Sequence, residues 1–391
     1  MHAPKELKPA VPRLDGVDVL RGLSILSVIL LHIWIRFHFA NVRLGATWPP
    51  LLSHFVWRNG GNGVTIFFAV SGFLITLTSL RRFGSLRAMR PAVFYRIRFA
   101  RIMPLLLLLL AVLSALHLLH VDAFVINAKS FTLPRALLAA LTFHLNWLET
   151  ARNAYLPACW TVLWSLSIEE MFYLFFPLAC VVLLRWKHGA WLWIGLALAL
   201  VAMGPFARVV WKTNDLAQEN SYLAGMASIA LGCLTAWVTD VLVRRGVRRG
   251  WWLCVVQAAG WAAILLIMIW PTWHHVMRPL GKSGTDDTLL ALGTCLVILP
   301  VALRGAQGRW WSAPVRWFGR HSYEVYLSHE FVVILGIDWI FARWFPHGAS
   351  RAVIAGFVMG MVTMTAPLGW ALAKWFSEPM NRWLRGARQA K

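Results

Sequence analysis

The run Val19-Leu-Arg-Gly-Leu-Ser-Ile-Leu-Ser-Val-Ile-Leu-Leu-His32 decides the fold class. It is apolar throughout except for Arg21 near its start, two serines and His32 at its end. Eleven residues separate Arg21 from His32, which is about three helical turns, so both fall on one face with a rise of about 16 Å between them. If the run spans a bilayer, Arg21 sits at one surface and His32 at depth. An ionisable group at depth is costly and points to function. The plainer reading is an interior histidine bonded to a neighbouring helix.

The rest of the chain supports the membrane reading. Of 391 residues, 59% are apolar and 14% charged, with a mean hydropathy of +0.61. Soluble domains are about half apolar and about a quarter charged. The excess lies in stretches of spanning length, among them Met103–Val121, Trp160–Leu184, Trp191–Val210, Trp252–Trp270 and Ala352–Leu372. The expected fold is an all-α polytopic membrane helix bundle. About ten transmembrane helices fit, near 19–37, 63–80, 103–121, 160–184, 190–210, 221–243, 251–270, 288–303, 321–341 and 352–374. The piece 135–148 is too short and polar to span and reads as a re-entrant or interfacial helix. The whole of 1–391 reads as one integral-membrane domain, with no soluble module and no internal repeat.

The net charge of +22 suggests a nucleic-acid partner, but its distribution argues against one. The basic residues fall in short blocks between spans. Alternate connections then collect 26 of the 38 Lys and Arg on one side, which by the positive-inside rule is cytoplasmic. Both termini go there: the leader 1–18 and the basic tail 375–391. The first run has no small-residue cleavage site and is expected to remain as a span. Many of the 24 Trp flank spans, as interfacial belts require. The five scattered cysteines suggest neither a metal site nor a disulfide framework.

Four constellations carry chemistry. The second span opens Asn59-Gly-Gly-Asn-Gly63 and continues to Ser71-Gly72. Ser71 is a candidate site residue, but close helix packing explains Ser-Gly equally well. The segment Arg81 to Arg101 holds seven arginines and no acid. Arg98 and Arg101 share a helical face ahead of Pro104, with Arg96 beside them. Cytoplasmic anchoring is one reading, and a clamp for phosphates, which the guanidinium fork suits, is the other.

The fourth span reads Trp160-Thr-Val-Leu-Trp-Ser-Leu-Ser-Ile-Glu169-Glu170-Met-Phe-Tyr173. Ser165, Glu169 and Tyr173 form an i, i+4 stripe, and Glu170 points about 100° away. Counted from the outer face, Glu169 lies about 14 Å down, close to the depth of His32. A carboxylate at that depth would hold the tautomer and charge of the imidazole, as general-base sites need. A structural Glu–Arg pair is the alternative. In the ninth span, Ser322, Tyr326 and His329 make another polar stripe. His329 reads equally as a second site residue or as a satisfied bundle histidine.

These pieces, in this order, resemble the membrane-bound acyltransferase-3 family of bacterial glycan O-acyltransferases. The matching segments are Leu14-Asp-Gly with Asp18-Val-Leu-Arg21-Gly-Leu-Ser and His32; Gly63 to Ile75; Arg96-Ile-Arg-Phe-Ala-Arg101; Trp164 to Leu174; and Ser322 to His329. The resemblance implies an acyl-coenzyme A donor, most often acetyl-CoA, presented from the cytoplasm, and a carbohydrate or glycolipid acceptor in the cell envelope. It also implies a place in the bacterial inner (plasma) membrane, among its lipids. It marks Arg21 and His32 as essential, highlights Arg96, Arg98 and Arg101 for the coenzyme, and selects Glu170 with Glu169 beside it. Met171 stands where the family often has Gln, and the Asp15-Gly-Val-Asp18 lead is longer than usual. The esterase-like domain that some members append is not expected here. The expected activity is O-acylation with His32 as general base or acyl carrier, by acetyl or alternatively succinyl transfer. The competing class is a proton-coupled transporter or flippase of a glycan or lipid-linked sugar, with His and Glu as relay groups.

Overall fold

The computed structural model describes residues 14–46, 48–211, 214–247, 249–269, 279–281, 283–305 and 307–386. Most of the expected leader (1–13) and the end of the basic tail (387–391) lie outside these residues, as do Trp270 and Arg248. Among the described residues the secondary structure is entirely helical.

Ten principal helices build the bundle. They are α1 (Asp15–Phe39), α2 (Gly60–Phe83), α3 (Pro91–Leu118), α4 (Leu163–Leu183), α5 (Gly189–Val210), α6 (Tyr222–Arg244), α7 (Trp252–Met268), α8 (Asp286–Arg304), α9 (Ser322–Trp344) and α10 (Arg351–Leu384). Among the described residues nine segments are long and apolar enough to cross a membrane. The remaining helix, α7, is apolar but has 17 residues, and its expected end at Trp270 lies beyond them.

Two boundaries differ from expectation for physical reasons. α3 begins at Pro91, not near 103, because proline at the first position starts a helix whatever the hydropathy that follows. Arg96, Arg98 and Arg101 therefore ride on a rigid helical extension. The piece 135–148 is two short helices, Leu133–Leu141 and Leu145–Arg152, broken where Phe143 takes φ +56°. α9 and α10 each contain a π-helical stretch, Leu335–Phe341 and Ala373–Ser377.

α2 is the central helix and α6 its closest neighbour. Between apolar helices in lipid, small residues permit the backbone approach that packing needs. A Cβ at Gly72 would lie 1.9 Å from the Ile229 carbonyl oxygen, and one at Gly232 2.0 Å from that of Ala69. This crossing sets the lateral position of Ser71. Against the other side of α2 packs α1, which α9 joins through a polar seam. Arg21 Nη2 donates to Ser322 Oγ at 2.7 Å near one end, and Arg36 pairs with Asp338 at 3.1 Å near the other. The foot of α1 is tied down by Asp15 to Arg316 and Arg320, and by Asp18 to Arg320 at 3.2 Å.

Candidate functional site

Two adjacent cavities with shared lining residues lie between α1, α2, α3, α4 and α9. The larger holds about 340 Å³ and opens at the basic end of the bundle. Arg21, Arg82, Arg98, Arg101 and Arg385 line it, with Ser71, Glu169, Tyr173 and Tyr323 deeper in. Five guanidiniums face one carboxylate here. Burial and the neighbouring Arg101, Arg82 and Arg98 push the Arg385 guanidinium below its ordinary value. Such an excess of positive charge around one cavity favours an anion with several oxygens.

Below the arginines, Ser71, Glu169 and Tyr173 form a hydrogen-bonded trio, with the serine and tyrosine hydroxyls on the Glu169 carboxylate. Arg98 lies over the Tyr173 ring, 4.3 Å from its centroid. The i, i+4 stripe of α4 is therefore real, and its carboxylate is anchored to α2. Glu170 points elsewhere, and its Oε1 is buried without a hydrogen bond among the described residues.

The smaller cavity holds about 50 Å³ and shares Phe67, Leu166, Glu169 and Tyr323 with the larger. Its walls are mostly apolar, from Ile25, Val28, Val64, Phe68 and Leu327. Hydroxyls of Ser165, Ser322 and Tyr326 punctuate them. Tyr326 bonds both Ser165 Oγ at 2.7 Å and the Val162 carbonyl at 2.9 Å.

His32 stands one turn beyond this cavity, which Val28 and Tyr326 both line. His32 Nδ1 lies 2.9 Å from the Val28 carbonyl oxygen and 3.1 Å from His329 Nε2. His329 Nδ1 lies 2.7 Å from the Tyr326 carbonyl oxygen. On the other edge, His32 Nε2 lies 3.2 Å from Glu330 Oε1. His329 is fully buried, Glu330 nearly so, and His32 keeps 18% of its side chain exposed.

Depth alone pairs His32 with Glu169 or Glu170, whereas the structure pairs it with Glu330. Depth fixes a level in the bilayer but no lateral position, and it is α9 whose carboxylate packs beside α1. Ser322, too, enters the site as the partner of Arg21. A signal for Glu330 existed in the sequence: it is an acid inside an apolar span, four residues after Tyr326 and on the same face. Arg98 and Arg101 reach the cavity, but Arg96 is exposed on α3 outside its lining. Asp18 is occupied with Arg320 at the foot of α1.

An all-helical membrane bundle, with a basic cavity at one end and a buried histidine–carboxylate pair beyond it, is the class that fold and site define. The family whose model is described as an acyltransferase domain matches residues 14–372. The chain belongs to this acyltransferase-3 family. It is 24% identical over 342 residues to a peptidoglycan O-acetyltransferase, OatA, of Listeria monocytogenes, covering 83% of the chain and 50% of that relative. It is 26% identical over 235 residues to the O-acetyltransferase OatA of Staphylococcus aureus, covering 58% of the chain and 34% of the relative. A putative O-acetyltransferase of the same species is 28% identical over 225 residues, covering 52% and 33%. The chain thus spans half or less of the length of these curated relatives. No solved structure matches it.

Proposed function

We propose that the protein moves an acetyl group from acetyl-coenzyme A to a hydroxyl of a cell-envelope glycan, peptidoglycan or a glycan like it. The observation that carries this reading is the row of guanidiniums around a cavity that shares lining residues with a smaller, mostly apolar one, whose wall at Val28 lies one helical turn from His32. A coenzyme A carries its phosphates at one end and its thioester at the end of a long arm. Arg82, Arg98, Arg101 and Arg385 would hold the phosphates, and Arg21 would stand where the arm leaves them. The smaller cavity suits a short neutral acyl group. A succinyl carboxylate placed there would face Glu169 and apolar walls, which favours acetyl over the succinyl alternative.

In the reaction the acceptor oxygen bonds the acyl carbon, the carbon–sulfur bond breaks, and the acceptor proton ends on the departing coenzyme thiolate. His32 would take that proton on Nε2 as general base, or would carry the acyl group on the same nitrogen between two half-reactions. Nδ1 is already held by the Val28 carbonyl, so both roles fall to Nε2. Names of the relatives support the O-acetyl and envelope parts of the reading.

The basic end of the bundle is placed in the cytoplasm, with both termini there, and the membrane is the bacterial inner one. Positive-inside bias supports the placement, as does Arg21 of the first helix lining one cavity with Arg385, just past the last. The test is acetyl transfer by the purified full chain in nanodiscs, with labelled acetyl-coenzyme A and soluble peptidoglycan fragments. Labelled ester on the fragments is expected. Labelled donor that neither binds nor turns over would overturn the reading.

A further inference from the structure

Proton positions at the outer end of the site can be assigned from their partners. A carbonyl oxygen only accepts, so His329 Nδ1 must carry hydrogen toward Tyr326 and His32 Nδ1 must carry hydrogen toward Val28. His329 Nε2 is then the bare nitrogen and, across 3.1 Å, shares the single His32 Nδ1 hydrogen with the Val28 carbonyl as a second acceptor. One proton remains to be placed, on the line between His32 Nε2 and Glu330 Oε1. The other oxygen of Glu330, Oε2, is buried and has no hydrogen bond among the described residues.

The surroundings bear on that proton. Glu330 contacts His32 from α1, follows His329 on its own helix, and is felt electrostatically by Tyr326 of that helix, by Cys159 from the turn 158–160 and by Glu149 from the helix Leu145–Arg152. Arg36 lies one turn beyond His32 but is engaged by Asp338 at 3.1 Å. The cationic partner within contact of Glu330 is thus His32 itself, when protonated.

We infer that Glu330 is the positioning residue for His32, forming with it a single proton-holding pair that sets the charge and orientation of Nε2. The acid pairs with the very nitrogen that would do the chemistry. The pair is therefore ready to accept an acceptor's proton only after losing its own. Once the acceptor's hydroxyl proton has moved to Nε2, the carboxylate holds it as imidazolium until it passes to the thiolate. The kinetic consequence rests on the proposed role of His32, whereas the charge of the pair is measurable without any substrate.

The experiment follows diethyl pyrocarbonate modification of His32, which needs a neutral imidazole, by peptide mass spectrometry across pH 5 to about 9. The full chain in nanodiscs is compared with Glu330→Gln and Glu330→Asp, and His329→Gln controls for signal from the second ring. A carboxylate at contact distance favours the charged imidazole, so in Glu330→Gln modification of His32 should begin at lower pH than in the wild type. Glu330→Asp should retain most of the wild-type midpoint. Coincident midpoints in wild type and Glu330→Gln would overturn the inference, even if activity fell. In acetyl transfer, Glu330→Gln should lower kcat about tenfold or more with donor KM within about twofold, and should move the acid limb of the rate profile to lower pH. Failure of the acetyl donor alone would leave the modification result standing, which separates the two readings.

Discussion

Arg98 lies 4.3 Å over the ring of Tyr173, and the hydroxyl of that ring shares the Glu169 carboxylate with Ser71. The contact couples the basic cavity to the buried polar trio below it. An arginine stacked on a tyrosine has its fork aimed in advance and loses little freedom on taking a phosphate. Arg98→Ala and Arg101→Ala should each weaken acetyl-coenzyme A binding about tenfold or more, consistent with about 1.5–3 kcal/mol for a hydrogen bond to a charged group. Arg96→Ala, outside the cavity, should bind nearly as wild type. Calorimetry on the protein in nanodiscs distinguishes these, and equal loss in all three would remove the phosphate role from the cavity.

Tyr326 ties α9 to α4 through Ser165 and the Val162 carbonyl. Tyr326→Phe removes both hydrogen bonds from α9 to α4, while Ser165 Oγ still donates to the Val162 carbonyl at 3.3 Å, so the cost is that of the lost bonds, about 0.5–1.5 kcal/mol each. A lowered thermal midpoint in detergent is expected. Ser165→Ala should cost less, because Tyr326 keeps the carbonyl. A midpoint unchanged in Tyr326→Phe would mean this hydroxyl does not hold the helices together.

The crossing of α2 and α6 allows no side chain at Gly72, where a Cβ would sit 1.9 Å from a backbone oxygen. Gly72→Leu should therefore abolish monodisperse protein in fluorescence-detected size exclusion. Gly61→Ala, with nothing within 4 Å of its added carbon, should elute as wild type. Normal assembly of Gly72→Leu would refute the crossing.

Glu149, on the short helix Leu145–Arg152, is fully buried and accepts from the Leu156 amide at 2.9 Å. Burial pushes its carboxyl up from an ordinary 4.5 to about 8. A raised folded value means the neutral form is favoured by folding. Its contribution is complete below about 4.5 and is lost as pH rises through about 8. Wild type should lose thermal stability over that window relative to Glu149→Gln, which keeps an acceptor for Leu156. Parallel melting curves for the two across pH 5 to about 9 would contradict a protonated Glu149.

Much of this was legible in the sequence. Hydropathy located the spans, and the family-ordered motifs picked out Arg21, His32, Arg96, Arg98, Arg101 and Glu170 with Glu169 beside it; of these Arg21, Arg98, Arg101 and Glu169 line the larger cavity, whereas Arg96, Glu170 and His32 do not. What escaped had physical causes. Hydropathy starts the third span near 103, although Pro91 starts the continuous helix that carries Arg96, Arg98 and Arg101. The positive φ of Phe143 splits one apolar piece into two helices without a glycine or proline to announce it. Glu330 escaped because depth along a helix is read from residue number, while the neighbour of α1 is decided by packing across the bundle.

His32 is proposed to perform acyl transfer from coenzyme A. The direct measurement is coenzyme release and ester formation from acetyl-coenzyme A by the full chain in nanodiscs, wild type beside His32→Ala, with size exclusion and donor binding measured on the same samples. His32→Ala should elute normally and bind donor near wild-type strength, while transfer falls by about 100-fold or more. Transfer retained in a well-folded His32→Ala protein would contradict the account.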